Sequence, residues 1–156
     1  MKFRDLFEQW NLTGLKINAH FLEMEWAPKD SDKDAAWEIY VELMTRVTTQ
    51  ALPEGKGTEV AALASVHSLF STTRNVLKSH GRDCVDFSKV AVVILNQVVR
   101  PFTSKWHKPI ASGKMTKSQR KEFRAELTKL QKRLVSYTHL VAQIAGVEDI
   151  TDIEQG

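Results

Sequence analysis

Seven apolar residues near the C-terminal end, Phe123, Leu127, Leu130, Leu134, Tyr137, Val141 and Ile144, follow one another at steps of 4, 3, 4, 3, 4 and 3. That alternation matches the a and d positions of a helix-bundle or coiled-coil seam. The spacing predicts a helix over Lys117–Ala145, about 43 Å long at 1.5 Å per residue, begun by Thr116 or Ser118 and ended by Gly146. A helix with so long an apolar stripe must bury it against other helices or a second chain.

The rest of the chain reads as helices punctuated by turn residues. Lys2–Trp10 carries Phe3, Leu6, Phe7 and Trp10 at helical spacing. Leu15–Trp26 fits both periods, since Leu15, Ile17, Ala19 and Phe21 alternate while Leu15, Ala19, Leu22 and Trp26 recur helically. It is assigned to helix because a lone strand has no sheet to join. A helix is expected over Ser31–Ala51, with Trp37, Tyr40, Val41, Met44 and Val47 as its buried stripe. Another follows from Thr58 to His80-Gly81, with Val60, Leu63, Ala64, Leu69, Phe70 and Leu77 apolar. Asp86 can cap a helix over Phe87–His107, in which Pro101 should produce a kink near Gln97. Asn96, Gln97 and Arg100 are then expected to satisfy the carbonyl the proline frees, or to line a small pocket with His107. The segment from Pro109 to Met115 reads as a loop.

These elements predict an all-α, single-domain helical bundle of up-down type, with four long helices and one or two short N-terminal ones. Residues 1–28 form the short segments, 31–145 the main bundle and 146–156 an acidic tail. At 156 residues one core suffices, and 42% hydrophobic with 26% charged residues is an ordinary globular composition. The apolar run Val90–Leu95 is far too short to span a bilayer, and the first residues lack the apolar stretch of a secretory signal. Cys84 is the only cysteine. No internal disulfide can form, which suits a reducing cytoplasm.

The net charge of +3 hides a block pattern. Residues 1–59 hold 7 basic and 11 acidic side chains, 60–104 hold 5 and 2, 105–133 hold 10 and 2, and 134–156 hold 0 and 4. The basic block begins beside Arg100 and includes Lys105, Trp106, His107 and Lys108, then Lys114, Lys117, Arg120, Lys121 and Arg124. Such a set can stack on bases and contact phosphates. It can equally pair with an acidic surface of the same or another chain, with Trp106 simply in the core.

Catalytic patterns are sparse. The stretch Arg74-Asn75-Val76-Leu77-Lys78-Ser79-His80 resembles the Arg-x4-6-His motif of HEPN-type ribonucleases, small all-α domains that usually act as dimers, and polar Asn75 after the arginine agrees with them. The resemblance implies that His80 moves a proton while Arg74 stabilises phosphate charge. It covers seven residues, and His80 stands at a helix end, where it can instead meet the last carbonyls. His20 and Glu23 occur in the reverse of the di-iron order, and Glu38 with Glu42 lacks a following histidine, so no metal or other cofactor is expected. Cys84 has only Arg82 and a helix start to activate it, and no glycine-rich nucleotide loop is present.

The expectation is therefore a non-catalytic intracellular interaction module, a subunit of a bacterial-type assembly that pairs through oppositely charged surfaces. Two alternatives follow: a nucleic-acid-binding helical protein using residues 105–133, and a dimeric ribonuclease using Arg74 and His80.

Overall fold

A computed structural model describes residues 1–46 and 58–153. The fold is all-α: α1 (Phe3–Gln9), α2 (Ala19–Glu23), α3 (Asp30–Met44), α4 (Glu59–His80), α5 (Val85–Ile94), α6 (Arg100–Ala111) and α7 (Lys117–Ala145). A single 3-10 turn, Gly81–Asp83, joins α4 to α5, and a π-helical turn, Leu95–Val99, joins α5 to α6. No strand and no helix long and apolar enough to cross a membrane occurs among the described residues.

The C-terminal helix forms where its spacing predicts. Thr116 accepts from the Gln119 N–H and the Gln119 side chain accepts from the Thr116 N–H, closing a capping box. Gly146 ends the helix at φ +70°, a left-handed conformation that suits glycine. All seven seam residues are buried, and α7 lies principally along α3. Within the seam the Tyr137 hydroxyl has no partner among the described residues, and burial pushes its phenol above the ordinary range.

Helix α4 also keeps its predicted ends, with Thr58 accepting from Ala61 N–H and Gly81 at φ +75°. Helix α3 differs. Its buried face is Ala35, Ala36, Ile39, Tyr40 and Leu43, whereas Trp37 and Val41, expected inside, are 47% and 37% exposed. Ala35 and Ala36 let a neighbouring helix approach, which rotates the buried stripe away from those two positions. The helix also stops short of the expected Ala51: it ends at Met44, where the Thr45 N–H and side chain both bond Val41 O, while the rest of the expected span, including Val47, lies outside the described residues.

The start of α5 is held by a residue distant in sequence. Asp32, 1% exposed, accepts from its own N-cap backbone at Lys29 (2.9 Å) through one oxygen and from the Phe87 N–H (2.9 Å) through the other. One carboxylate thus satisfies donors at the starts of two helices. Asp86, expected to cap this helix, instead accepts from Ala27 N–H at 3.3 Å, and the helix begins at Val85.

Pro101 is absorbed by a change of helix type rather than by polar side chains. The π turn inserts its wider hydrogen bonds just before the proline, with Arg100 N–H reaching Leu95 O. The polar residues expected to serve the freed carbonyl have other partners. Gln97 clamps both backbone groups of Lys16 at 2.7 Å, and Asn96 accepts from Arg100 Nε and Nη2. Helix α6 also continues past the expected loop start at Pro109 to Ala111. In a last turn the missing donor leaves only one carbonyl free, that of exposed Lys105.

Leu15–Trp26 is not one helix. The Gln97 clamp holds the Lys16 backbone outside any helix and the Asn18 side chain accepts from His20 and Phe21 N–H, so helix is confined to Ala19–Glu23. The alternation of Leu15 to Phe21 does not become a strand, since Ala19 and Phe21 are helical, but after α2 Lys2 and Glu25 form an isolated antiparallel bridge, flanked by Phe3 N–H to Met24 O and Trp26 N–H to Met1 O. Lys2 and Arg4 both reach Glu23 across this bridge.

The acidic tail is anchored. Asp149 accepts from Tyr40 Oη and from Thr151 and meets His139 Nδ1 at 2.6 Å, while Tyr40 Oη accepts from Ile150 N–H at 2.7 Å. Burial pushes the Asp149 carboxyl up, but the Thr151 and His139 bonds outweigh it and hold the group below the ordinary 3.8. A depressed carboxyl contributes stability above its ordinary value and loses it as pH falls through the folded one. The tail is therefore expected to detach below about pH 3.8, seen as loss of the Ile150 amide's protection from exchange. Protection that is the same at neutral pH in an Asp149→Asn variant would contradict the tether.

Removing the Asp32 carboxylate should be more damaging. Asp32→Ala leaves the Phe87 and Lys29 donors unpaired and should lower unfolding free energy by about 2–4 kcal/mol, whereas Asp86→Ala should cost under about 1 kcal/mol. Urea denaturation of both variants measures this, and equal losses would refute the assignment.

Candidate functional site

Two helices facing each other each carry an arginine and a histidine two turns apart. On α4 these are His67 and Arg74, and on α6 they are Arg100 and His107, each pair separated by seven residues and so on one helical face. Between them runs a groove of about 920 Å³ whose floor is aliphatic and aromatic, with Val60, Leu63, Ala64, Phe70 and Ile110. Lys108 stands at its edge, and Ser68, Ser71, Thr103 and Ser104 add hydroxyls.

No carboxylate lines this groove among the described residues. Arg74, His107 and Lys108 make no hydrogen bond or ion pair there among the described residues. The Arg100 guanidinium lies 4.7 Å from the Phe70 ring centroid and is steadied by Asn96, so it is preorganised over the floor. The chemistry on offer is a positive rim around an apolar trough, which suits an anionic ligand with an apolar face.

The structure thus brings together Arg74, Arg100, His107 and Lys108 from the residues singled out in the sequence. The others lie elsewhere. Trp106 is 2% exposed, edge-on to Phe123 with centroids 5.3 Å apart, and its Nε1–H donates to Glu126 at 2.7 Å. A ring packed in the core cannot stack on a base, so that expectation fails. Lys105 contacts Glu122 and Glu126, and these hydrogen bonds hold its ammonium above the usual lysine range. Arg124 meets Glu59 at 3.2 Å. Lys114, Lys117, Arg120 and Lys121 are exposed around the α6–α7 turn, away from the groove lining.

His80 does not join Arg74. Its Nε2 lies 2.7 Å from Glu38 Oε2 on α3, on the side of α4 away from the groove. The other weak candidates are also committed to structure. Glu23 is held by Lys2 and Arg4, Glu42 by Arg46, and buried Cys84 donates its thiol to Gly81 O at 3.1 Å. No group of three or more His, Cys, Asp or Glu side chains could hold a metal ion among the described residues.

Sequence reasoning missed His67, Phe70 and Thr103. The available signal was the seven-residue spacing of an arginine and a histidine on α4 and again on α6, which becomes meaningful only once those helices are known to face each other. A second groove, of about 520 Å³, lies beside α5 and includes Lys16, Arg82 and Lys89. It is smaller, and Lys89 is already placed 5.8 Å from the Phe21 ring.

No protein-family model, curated protein or solved structure matches this chain.

Proposed function

We propose that the chain is a non-catalytic cytoplasmic interaction module whose α4–α6 groove receives an acidic, amphipathic segment of a protein partner. The observation that carries this reading is the groove's composition, an apolar floor under a rim of Arg74, Arg100, His107 and Lys108 with no carboxylate among the described residues. A helix laid in such a trough buries its apolar stripe on the floor while its flanking acids meet the rim. Opposite charge then sets orientation and speeds encounter more than it adds affinity.

Nucleic acid is less well served by the same surface. Binding a single strand calls for exposed aromatic platforms beside the cations, yet Trp106 is in the core and Phe70 is 5% exposed beneath Arg100. The basic block is also weaker than its count suggests, because Lys105 and Arg124 are paired with glutamates.

Fluorescence anisotropy separates the two ligand classes. A labelled helical peptide of about 16 residues, with leucines along one stripe and glutamates beside it, should bind with a Kd of roughly micromolar order. The pair Arg74→Glu and Lys108→Glu should weaken it about tenfold or more, about 1.4 kcal/mol. A single-stranded oligothymidylate of similar length should bind more weakly than the peptide. Tighter binding of the oligonucleotide, or peptide binding indifferent to the reversal, would refute the proposal.

A further inference from the structure

The α4–α6 groove is not uniform along its length. Its α4 lining runs from Val60 to Arg74 and its α6 lining from Arg100 to Ala111, while the Arg100 guanidinium lies over the Phe70 ring. The two helices therefore run antiparallel, and the trough extends from that ring to Val60 and Ile110, about 15 Å of helix. The far end is apolar, with Val60 61% exposed and Leu63 and Ile110 beside it, and Lys108 is its only cation. The near end holds both arginines, because Arg74 stands one turn beyond Phe70 on α4.

Two guanidiniums at one end of an apolar trough repel each other until an anion joins them. The fold supplies none, since no carboxylate lines the groove among the described residues and Asn96, which steadies Arg100, is neutral. Of the five N–H groups of Arg100, Asn96 Oδ1 takes one on Nε and one on Nη2. The others remain for a ligand, and Arg74 keeps its whole fork. Such planar forks match the oxygens of a phosphate monoester, which offers three acceptors and a charge of about −1.5 to −2 near pH 7. A single glutamate would leave one arginine uncompensated, whereas one phosphate balances both.

We infer that the partner segment is phosphorylated, with a phosphoserine seated between Arg74 and Arg100 and the segment's apolar stripe running from there to Val60 and Ile110. The inference rests on the proposed function and names the chemical form of its ligand. The asymmetry of the groove also sets a direction. The N-terminus of a bound helix carries partial positive charge and welcomes an anion, so the phosphate belongs in its first turn. About ten residues of stripe then follow along the floor. Phosphorylation of the partner thereby switches the contact on, because the dianion supplies the charge-assisted bonds that the two forks call for.

Anisotropy of the full chain with versions of the amphipathic peptide tests this: serine, glutamate or phosphoserine in the first turn, and phosphoserine in the last turn instead. First-turn phosphoserine should bind at least about tenfold tighter than serine and about fivefold tighter than glutamate. Arg74→Lys with Arg100→Lys keeps the net charge but removes both forks. It should cut the phosphoserine-to-serine affinity ratio below about threefold, with circular dichroism unchanged. Arg74→Lys alone, at a side chain that bonds nothing among the described residues, should move the ratio the same way and covers a double variant that fails to fold. A phosphate that gains nothing over glutamate, or a gain kept in the lysine variants, overturns the inference. So does a last-turn phosphate as effective as a first-turn one. Inorganic phosphate alone displacing the phosphopeptide at about micromolar concentration would make the free ion the ligand and overturn it too. If the serine and glutamate peptides bind but phosphate adds nothing, the proposed function stands and only this inference falls; if no peptide binds, both fall.

Discussion

A single buried carboxylate determines where the second half of the fold sits. Asp32 bonds the backbone at the start of its own helix and the Phe87 N–H at the start of α5. Two helix starts each present unpaired donors and a partial positive charge, so one anion between them relieves both while its own desolvation is compensated. Because α5 continues through the π turn into α6, fixing its start also fixes where Arg100 and His107 stand along α4. The Gln97 clamp on Lys16 ties the same continuous segment to the N-terminal part of the chain.

Charge patterning along the chain is only partly charge patterning in space. The block from residue 105 to 133 looked like one positive surface, yet Glu122, Glu126 and Glu59 neutralise some of it within the fold. The acidic tail is likewise occupied, with Asp149 engaged by His139 and Tyr40. What remains without a carboxylate partner is distributed differently: Arg74 and Lys108 line the α4–α6 groove, whereas Glu38 and Glu42 of α3 are paired with His80 and Arg46.

Features governed by local periodicity were legible in the sequence. The α7 seam, its Thr116 cap, the Gly146 stop and both ends of α4 follow from spacing and capping chemistry alone. Features that depend on long-range partners were not. Asp86 is the obvious local cap for α5, but Asp32, 55 residues away, takes that role. The break in Leu15–Trp26 comes from Gln97, which clamps the Lys16 backbone from 81 residues away. Trp37 and Val41 share helical spacing with buried Tyr40, and only the packing of Ala35 and Ala36 decides which stripe turns inward. For the site, Arg74 and His80 looked like neighbours in sequence, while Arg74 in fact faces Arg100 across a groove and His80 faces Glu38.

The claim that the α4–α6 groove is the working surface is tested most directly by amide hydrogen exchange of the intact chain with and without the acidic amphipathic peptide, read residue by residue. Local openings slow where a partner covers the backbone. Added protection confined to α4 and α6 is the expected result. Protection that appears instead around Lys114–Lys121, or along the exposed side of α5, would contradict it.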